Sequence, residues 1–431
     1  VVSEADDLRE RLEGLGVRLG LAGLRPRPES ASPPPLPAPP RDSIDDWVSG
    51  RIVEGEAGVC FLSESCYPLE HIHGRMPLGA LLECTPAWLD MLAGDPDEPC
   101  RDFRRLAFLD TETTGLAGGT GTYAFMVGLG VFEGDGFAVR QYFMRDIPEE
   151  AAMLALVRRD LEPRSGLVTF NGRAFDWPLL ETRFAMNRQP VPRTALYHLD
   201  LLLPARRLWR RRLQSCALAS LEEHVLELQR SNDDVPGWAI PGLYRDFLQW
   251  GRAEPLRRVF YHNAHDILSL ATLAALLCRS VREPLRILRH GEDLFSLAQR
   301  FEAQGDAATA MALYAHCLRC QLPAKTRHAA MHRLSRLHRR AGEEQEALAL
   351  WHSLAELGDL EACVALAKHY EHRTDDLAQA RRMALRALGL LRQLRYPDRR
   401  RLAELEHRLR RLEEKERRRR ALTAGPPCSA T

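Results

Sequence analysis

The 431-residue chain carries 60 Lys+Arg against 59 Asp+Glu, with 45% hydrophobic and 28% charged residues. That balance excludes a mainly disordered chain, a collagen and a polytopic membrane protein, and the length allows two or three domains with cores of their own. Near-neutral charge also argues against a nucleic-acid binder unless the basic residues are concentrated locally. Only Lys325, Lys368 and Lys415 are lysines; the other basic residues are arginines, as a GC-rich genome or a preference for bidentate phosphate contacts would give.

Residues 1–41 contain a candidate short helix around Leu8–Leu15, then eight prolines within Arg25–Arg41. Such a segment is a stiff, extended linker with no core and is expected to be disordered. Its acidic start, Val1-Val2-Ser3-Glu4, does not resemble a signal peptide. Residues 42–100 mix short apolar pieces, Val59–Leu62 and Leu78–Leu82, with Gly, Pro and Cys, and read as an extension packed on the next domain.

Residues 101–283 alternate strand and helix signals. Leu106–Leu109 is a compact apolar run ending in Asp110, the pattern of a buried strand with a functional carboxyl end. Tyr123–Phe132 and Phe137–Met144 read as strands joined by the turn Glu133-Gly134-Asp135-Gly136. A helix over Pro148–Leu161, a strand over Leu167–Phe170, a helix over Asp176–Met186 and a strand over His198–Leu202 follow, closed by a long helix over Pro255–Arg279. The order predicts an α/β domain, a mixed β-sheet flanked by helices.

Residues 284–395 are expected to be all-α and repetitive. Leu297, Gly305, Ala310 and Tyr314 recur 37 residues later as Leu334, Gly342, Ala347 and Trp351, and a weaker copy runs through Leu366, Tyr370, Ala380 and Ala384. Small residues at contacts and a Gly at the turn fit a tetratricopeptide-like helix-turn-helix array. Residues 396–431 form a basic helix and tail; 399–420 hold 11 basic and 5 acidic residues. The ten cysteines follow no framework and read as reduced thiols of a cytosolic protein. The lone Cys317-x-x-Cys320 pair, and Cys60, Cys66, His71 and His73, lack standard zinc spacing and read as structural. The longest apolar run, Ile267–Cys278, is too short for a bilayer. A cytoplasmic protein without membrane association is expected.

Three acidic constellations carry chemistry. Asp110 and Glu112 are two apart on a strand and share one face. Paired carboxylates repel unless cations neutralise them, and hard oxygen ligands suit Mg²⁺ or Mn²⁺. Asp176 ends the Asn171-Gly172-Arg173-Ala174-Phe175-Asp176 turn and is either a site acid, a helix N-cap, or both. His262 and Asp266 are four apart on the closing helix and share a face, while His265 reads as a surface residue.

DxE, NxxxFD and HxxxD in this order resemble the signature of DEDD exonucleases in the ribonuclease H-like superfamily. The segments DTETTGLAGGTGTYAFMVGLG, NGRAFDWPLLETR, HLDLLLPARRLWRRRL and YHNAHDILSL are similar to the YprB-like family of bacterial exonucleases, over about residues 50–280, with trailing repeats that also agree. The resemblance implies a ribonuclease H-like sheet followed by the helical-repeat domain, and a metal quartet of Asp110, Glu112, Asp176 and Asp266 holding two Mg²⁺ or Mn²⁺ ions. It implies His262 as general base. Histidine-type members usually place that residue five before the last Asp, where this chain has Tyr261, so Tyr261 remains the alternative. The implied activity is 3′→5′ hydrolysis of single-stranded nucleic acid with a free 3′ end, releasing 5′-mononucleotides, with DNA favoured and a place in DNA repair. A protein partner bound through the repeats, with a helicase as the candidate, is implied too.

Substrate contacts are expected from Thr113, Gly115, Asn171 and Asp200. The glycines Gly115–Gly121 either admit a nucleotide or form a tight turn, and His198 and Asp200 are substrate contacts or structural. Arg206, Arg207, Arg210, Arg211 and Arg212 carry +5 with no acid and are expected to track phosphates. Trp209 reads as core, with stacking on a base as the alternative. Rival functions remain: a repeat scaffold with a vestigial nuclease domain, an RNA 3′ trimming nuclease, and a structure-selective endonuclease on the same fold.

Overall fold

The computed structural model describes residues 42–93, 102–115, 121–231 and 233–423. The candidate helix at Leu8–Leu15 and the proline-rich segment lie outside the described residues.

Among the described residues nine strands are formed: β1 (Arg51–Gly55), β2 (Gly58–Pro68), β3 (Ile72–His73), β4 (Met76–Pro77), β5 (Leu106–Thr113), β6 (Ala124–Glu133), β7 (Gly136–Phe143), β8 (Gly166–Thr169) and β9 (His198–Asp200). Seven make one mixed sheet in the order β1-β2-β7-β6-β5-β8-β9, and β3 and β4 pair separately. β5 runs antiparallel to β6 and parallel to β8, and β8 is parallel to β9. Central position explains the composition: Leu106, Ala107, Phe108 and Leu109 of β5 are all buried, because a strand covered on both faces must be apolar at every position.

Residues 51–68 are an edge hairpin of the same sheet, with β2 paired to β7 from Phe61↔Phe143 to Pro68↔Gly136. No strand signal was evident for β1, whose residues are almost all exposed. The expected strand over His198–Leu202 stops at Asp200, since the Asp200 carboxylate accepts from Leu202 N at 3.0 Å and starts a helix there.

The helices flanking the sheet are α1 (Ala87–Ala93), α2 (Glu150–Leu161), α3 (Asp176–Met186), α4 (Leu202–Trp209), α5 (Ile240–Trp250) and α6 (Leu256–Arg282). α5 escaped the sequence reading; it seats Tyr244 flat on Phe125, ring centroids 3.9 Å apart. α6 is long and apolar enough to cross a membrane by length and composition, yet most of its apolar window is buried in the protein. Val259, Phe260, Ile267, Leu270, Ala274 and Leu277 pack inside, fixing α6 in the core.

The C-terminal region is all-helical: α7 (Gly291–Ala303), α8 (Ala307–Arg319), α9 (Ala324–Ala341), α10 (Glu344–Glu356), α11 (Leu360–His372), α12 (Leu377–Arg392) and α13 (Arg399–Thr423). The repeat positions serve as expected: Ala310, Ala347, Ala380 and Ala384 are fully buried, where only a small side chain allows the helices to close. Gly305 and Gly342 turn the first two hairpins with φ of 87° and 81°. The third hairpin turns through Asp375, φ 51°, and its copy accordingly lacks the glycine. Phe295, Leu297 and Tyr314 belong to the same apolar cluster as Trp209 and Leu273, so the first hairpin packs directly against the α/β layer.

Candidate active site

The carboxyl end of β5 delivers Asp110 and Glu112 to one side of the sheet. Opposite Asp110 across the ladder stands Gly128 on β6, and opposite Gly128 stands Gln141 on β7. The missing side chain at Gly128 is a requirement of packing: a Cβ there would lie 2.2 Å from Asn263 Oδ1. Asn263, on α6 and fully buried, fills the gap. Its Nδ2 donates to Asp110 Oδ2 at 2.9 Å, while its Oδ1 accepts from Gln141 Nε2 at 3.0 Å. Gln141 Nε2 also donates to Phe260 O at 2.7 Å. A chain of amides thus ties the nucleating carboxylate of the site to both the sheet and α6.

Asp176 is the first residue of α3. The N-cap expectation is corrected, because Phe175 occupies that position; the Asp176 side chain instead accepts from Thr111 Oγ1 at 2.5 Å. Asp266 reaches the same centre from α6, one turn after His262, with His262 Nε2 3.7 Å from Asp266 Oδ2.

The four carboxylates are electrostatically coupled. Burial pushes the Asp110 carboxyl well above the usual range, and Asp266, Glu112 and Asp176 push it further. Glu112 is likewise raised by burial, then by Asp266 and Asp176. Burial also raises Asp176 and Asp266. A cluster of mutually repelling oxygen donors in a low-dielectric pocket is the arrangement a hard divalent cation relieves, so this donor set fits such a metal.

Arg230 supplies positive charge from the loop after residue 226. It pairs with Asp266, with Glu222 through Nε at 2.6 Å and with Asp234 through Nη1 at 3.2 Å. Burial works against the guanidinium charge, but Glu222, Asp266 and Asp234 hold it on. Glu222 is almost fully buried; burial would raise its carboxyl, but His265, Arg230 and Ser269 bring it down to about 2. His265 is buried and not a surface residue: Nδ1 lies 3.4 Å from Glu222 Oε1, and its ring packs edge-on against His73. Glu222, His265 and Asp266 form a compact ligand-like group, yet the Glu222 oxygens already accept from Arg230 and from Ser269 Oγ at 2.6 Å. Its role is to brace Arg230.

His262 Nδ1 lies 2.8 Å from Asp234 Oδ1 and 3.0 Å from Arg230 Nη1. One nitrogen cannot donate to the first and accept from the second at once. Donation to Asp234 is the shorter contact and charge-assisted, and it leaves the Nε2 lone pair on the Asp266 side. Tyr261, five residues before Asp266, lies off that helical face, its ring 5.6 Å from that of His265.

Beside the acids, a cleft at the carboxyl ends of β8 and β9 is lined by Asn171, Arg173, His198, Asp200 and Arg206. Asp200 shapes it, accepting from Asn171 N at 2.7 Å and Arg173 N at 3.2 Å, which holds Asn171 at a φ of 65°. Burial first, then Arg173, lowers the His198 imidazole to about 4, and its Nε2 meets Thr169 Oγ1 at 2.8 Å. Thr113 Oγ1 donates to Gly115 O at 2.9 Å, and a register shift follows Glu112 in β5. A Cβ at Gly115 would lie 3.9 Å from Thr122 Oγ1; residues 116–120 lie outside the described residues.

The arginine stretch is not one continuous track. Arg207 Nη1 donates to Leu92 O at 2.6 Å, Arg211 lies over the Phe295 ring and donates to Gln299 Oε1 at 3.0 Å, and Arg212 pairs with buried Asp293 at 3.0 Å. These three dock α1 and the first helical hairpin, because α4 faces them. Arg206 and Arg210 stay exposed. Trp209 is core, as expected. Sequence reasoning passed over Asn263, Gln141, Arg230 and Asp234. Asn263 had a signal, a polar residue between apolar positions of a buried helix; Arg230 and Asp234 sit on an aperiodic loop and had none.

Residues 107–278 match the family model described as the RNase_H superfamily. The chain is also 29% identical over 336 residues to the uncharacterized protein YprB of Bacillus subtilis (strain 168), covering 77% of this chain and 80% of that protein. Through residues 107–278 the chain is thus similar to the ribonuclease H superfamily, and it is similar to YprB over most of its length.

Proposed function

We propose that the chain is a divalent-metal-dependent 3′→5′ exonuclease of the DEDD type, releasing 5′-mononucleotides from single-stranded DNA in preference to RNA, in the cytoplasm and in the service of DNA repair. The observation that carries this reading is that Asp110, Glu112, Asp176 and Asp266 come from three separate elements in the order D-E-D-D, with Thr111 of β5 bonded to Asp176 at 2.5 Å and Asn263 of α6 bonded to Asp110 at 2.9 Å. Asp110 and Glu112 from β5, Asp176 from α3 and Asp266 from α6 would hold two Mg²⁺ or Mn²⁺ ions. Such ions, when bound, activate water and stabilise the leaving oxygen. His262 takes the proton of the attacking water at Nε2, with Asp234 holding Nδ1–H and so fixing the tautomer. Arg206 and Arg210 contact backbone phosphates, and Asn171 and Thr113 line the path of the terminal nucleotide. The helical repeats bind a protein partner, for which a helicase is our candidate.

The test is a labelled-strand assay. Single-stranded DNA and RNA of one sequence, each 5′-labelled, are incubated with the protein in Mg²⁺, Mn²⁺ or EDTA, beside Asp110→Asn. A ladder of 3′-shortened products that needs the metal and vanishes in the variant supports the reading. Cleavage unaffected by Asp110→Asn, or none by the wild type, overturns it, and faster shortening of RNA assigns the trimming role instead.

A further inference from the structure

Away from the nuclease site, two consecutive helical hairpins meet at a second cluster of metal-ligating side chains. His328 and His332 stand one turn apart on α9, so their imidazoles lie side by side, ring centroids 5.1 Å apart. Both point the same nitrogen at the same oxygen: His328 Nε2 is 3.0 Å and His332 Nε2 2.7 Å from Asp359 Oδ2. Asp359 is the N-cap of α11, and its other oxygen, Oδ1, accepts from Ala362 N at 2.6 Å. The carboxylate is therefore held in orientation by the helix start, with a single oxygen left facing the two imidazoles.

A plain hydrogen-bonded brace between α9 and α11 would need one imidazole. Two Nε2 atoms converging on one oxygen, with all three atoms inside 4.8 Å, is the layout of a ligand set. Zinc with ligands at about 2.0–2.1 Å in a tetrahedron spaces them roughly 3.3 Å apart, close to what the side chains already adopt. The donor types discriminate as well. Two imidazoles and one carboxylate form a borderline N₂O set that suits Zn²⁺, Co²⁺ or Ni²⁺ and not Mg²⁺. The N-cap hydrogen bond to Oδ1 supplies the outer support that such ligands usually have. His328 is 41% exposed and Asp359 only 9%, so the ion would enter from solvent on the His328 side and keep an open fourth position there.

We propose that His328, His332 and Asp359 form a transition-metal site, with Zn²⁺ as the occupant, that clips the second helical hairpin to the third. It is independent of the carboxylate site, which needs hard-oxygen ligands on β5, α3 and α6.

The test is a Co²⁺ titration of the full chain, read by d–d absorption, with millimolar Mg²⁺ present to occupy the carboxylate site. Wild type and Asp110→Asn should each take up about one equivalent with visible bands. His332→Gln should weaken uptake at least tenfold, and the double change His328→Gln and His332→Gln should abolish it. Zn²⁺ should displace the Co²⁺ bands and raise the melting temperature of the wild type but not of the double variant. Far-ultraviolet circular dichroism of the double variant checks that its helices persist; because His328 is exposed, His328→Gln alone provides the second arm, with weakened uptake again expected. Uptake that survives the double change, uptake lost only in Asp110→Asn, or absence of d–d bands in the wild type overturns the proposal.

Discussion

Asn263 donates to Asp110 across the floor of the acidic site, Nδ2 to Oδ2 at 2.9 Å, from a position with no solvent exposure at all. The same amide is received over Gly128 and held by Gln141. Asp110 therefore owes its orientation to a buried network whose members must all be present. Asn263→Ala should weaken Mg²⁺ or Mn²⁺ binding by about 10–100-fold, the usual cost of losing an outer-shell partner. Gly128→Ala should do the same by pushing Asn263 aside. Isothermal titration with Mn²⁺ on both variants checks this; unchanged affinity in both would disconnect the network from the metal ligands.

Arg230 neutralises Asp266 and Glu222 together. Arg230→Met leaves both carboxylates buried without that partner and should cost roughly 3–5 kcal/mol in EDTA. Adding Mn²⁺ compensates Asp266, so the rise in melting temperature on metal addition should be larger in the variant than in the wild type. Thermal melts with and without metal measure the difference. Equal rises would mean that Arg230 and the metal do not compete for the same negative charge.

Donation from His262 Nδ1 to Asp234 at 2.8 Å selects the tautomer that frees Nε2. His262→Asn should lower kcat by about 10²–10⁴. Tyr261→Phe should leave it within a factor of about two, since Tyr261, five residues before Asp266, lies off its helical face and its ring sits beside His265. Asp234→Asn should fall between them, with metal affinity unchanged. Single-turnover cleavage of single-stranded DNA ranks the three. Loss confined to the tyrosine variant would reassign the base.

Much of this architecture was legible where a residue's type answers to one local demand. The apolar run Leu106–Leu109 ending in Asp110 announces a buried strand feeding a site, and Asp176–Met186 is helical over the range its pattern predicts. Gly305 and Gly342 mark turns because only the left-handed backbone closes them. Other features depend on partners distant in sequence. β1 is mostly exposed and reads as loop until β2 pairs with it. Arg207, Arg211 and Arg212 look like a phosphate track until Leu92, Phe295 and Asp293 arrive from other elements. Arg230 and Asp234 enter the site on a loop without periodicity, and no spacing rule points to them.

Glu371 is the clearest source of pH-dependent stability outside the nuclease site. Its side chain has no solvent exposure, and Arg411 at 2.8 Å, Lys415 at 3.0 Å and Arg408 all converge on it. Burial would raise the carboxyl, but Arg411, Lys415 and Arg408 outweigh it and hold it at about 2, from an ordinary 4.5. A depressed folded-state pKa means that the unfolded chain takes up the proton first. The stabilisation is therefore complete above about pH 4.5 and is lost as pH falls toward 2. A shift of that size corresponds to about 3 kcal/mol, and the contacts behind it join α13 to α11. Glu371→Gln should release α13 at neutral pH and flatten the acid limb of the stability curve between about pH 4.5 and 2. Limited proteolysis at neutral pH should then cut the variant within residues 399–423 while the wild type resists, and urea melts across the acid range should show the lost slope. Equal protection of α13 in the two proteins would show that its apolar seam, Leu405, Leu409 and Leu412, holds the helix without the ionic contacts.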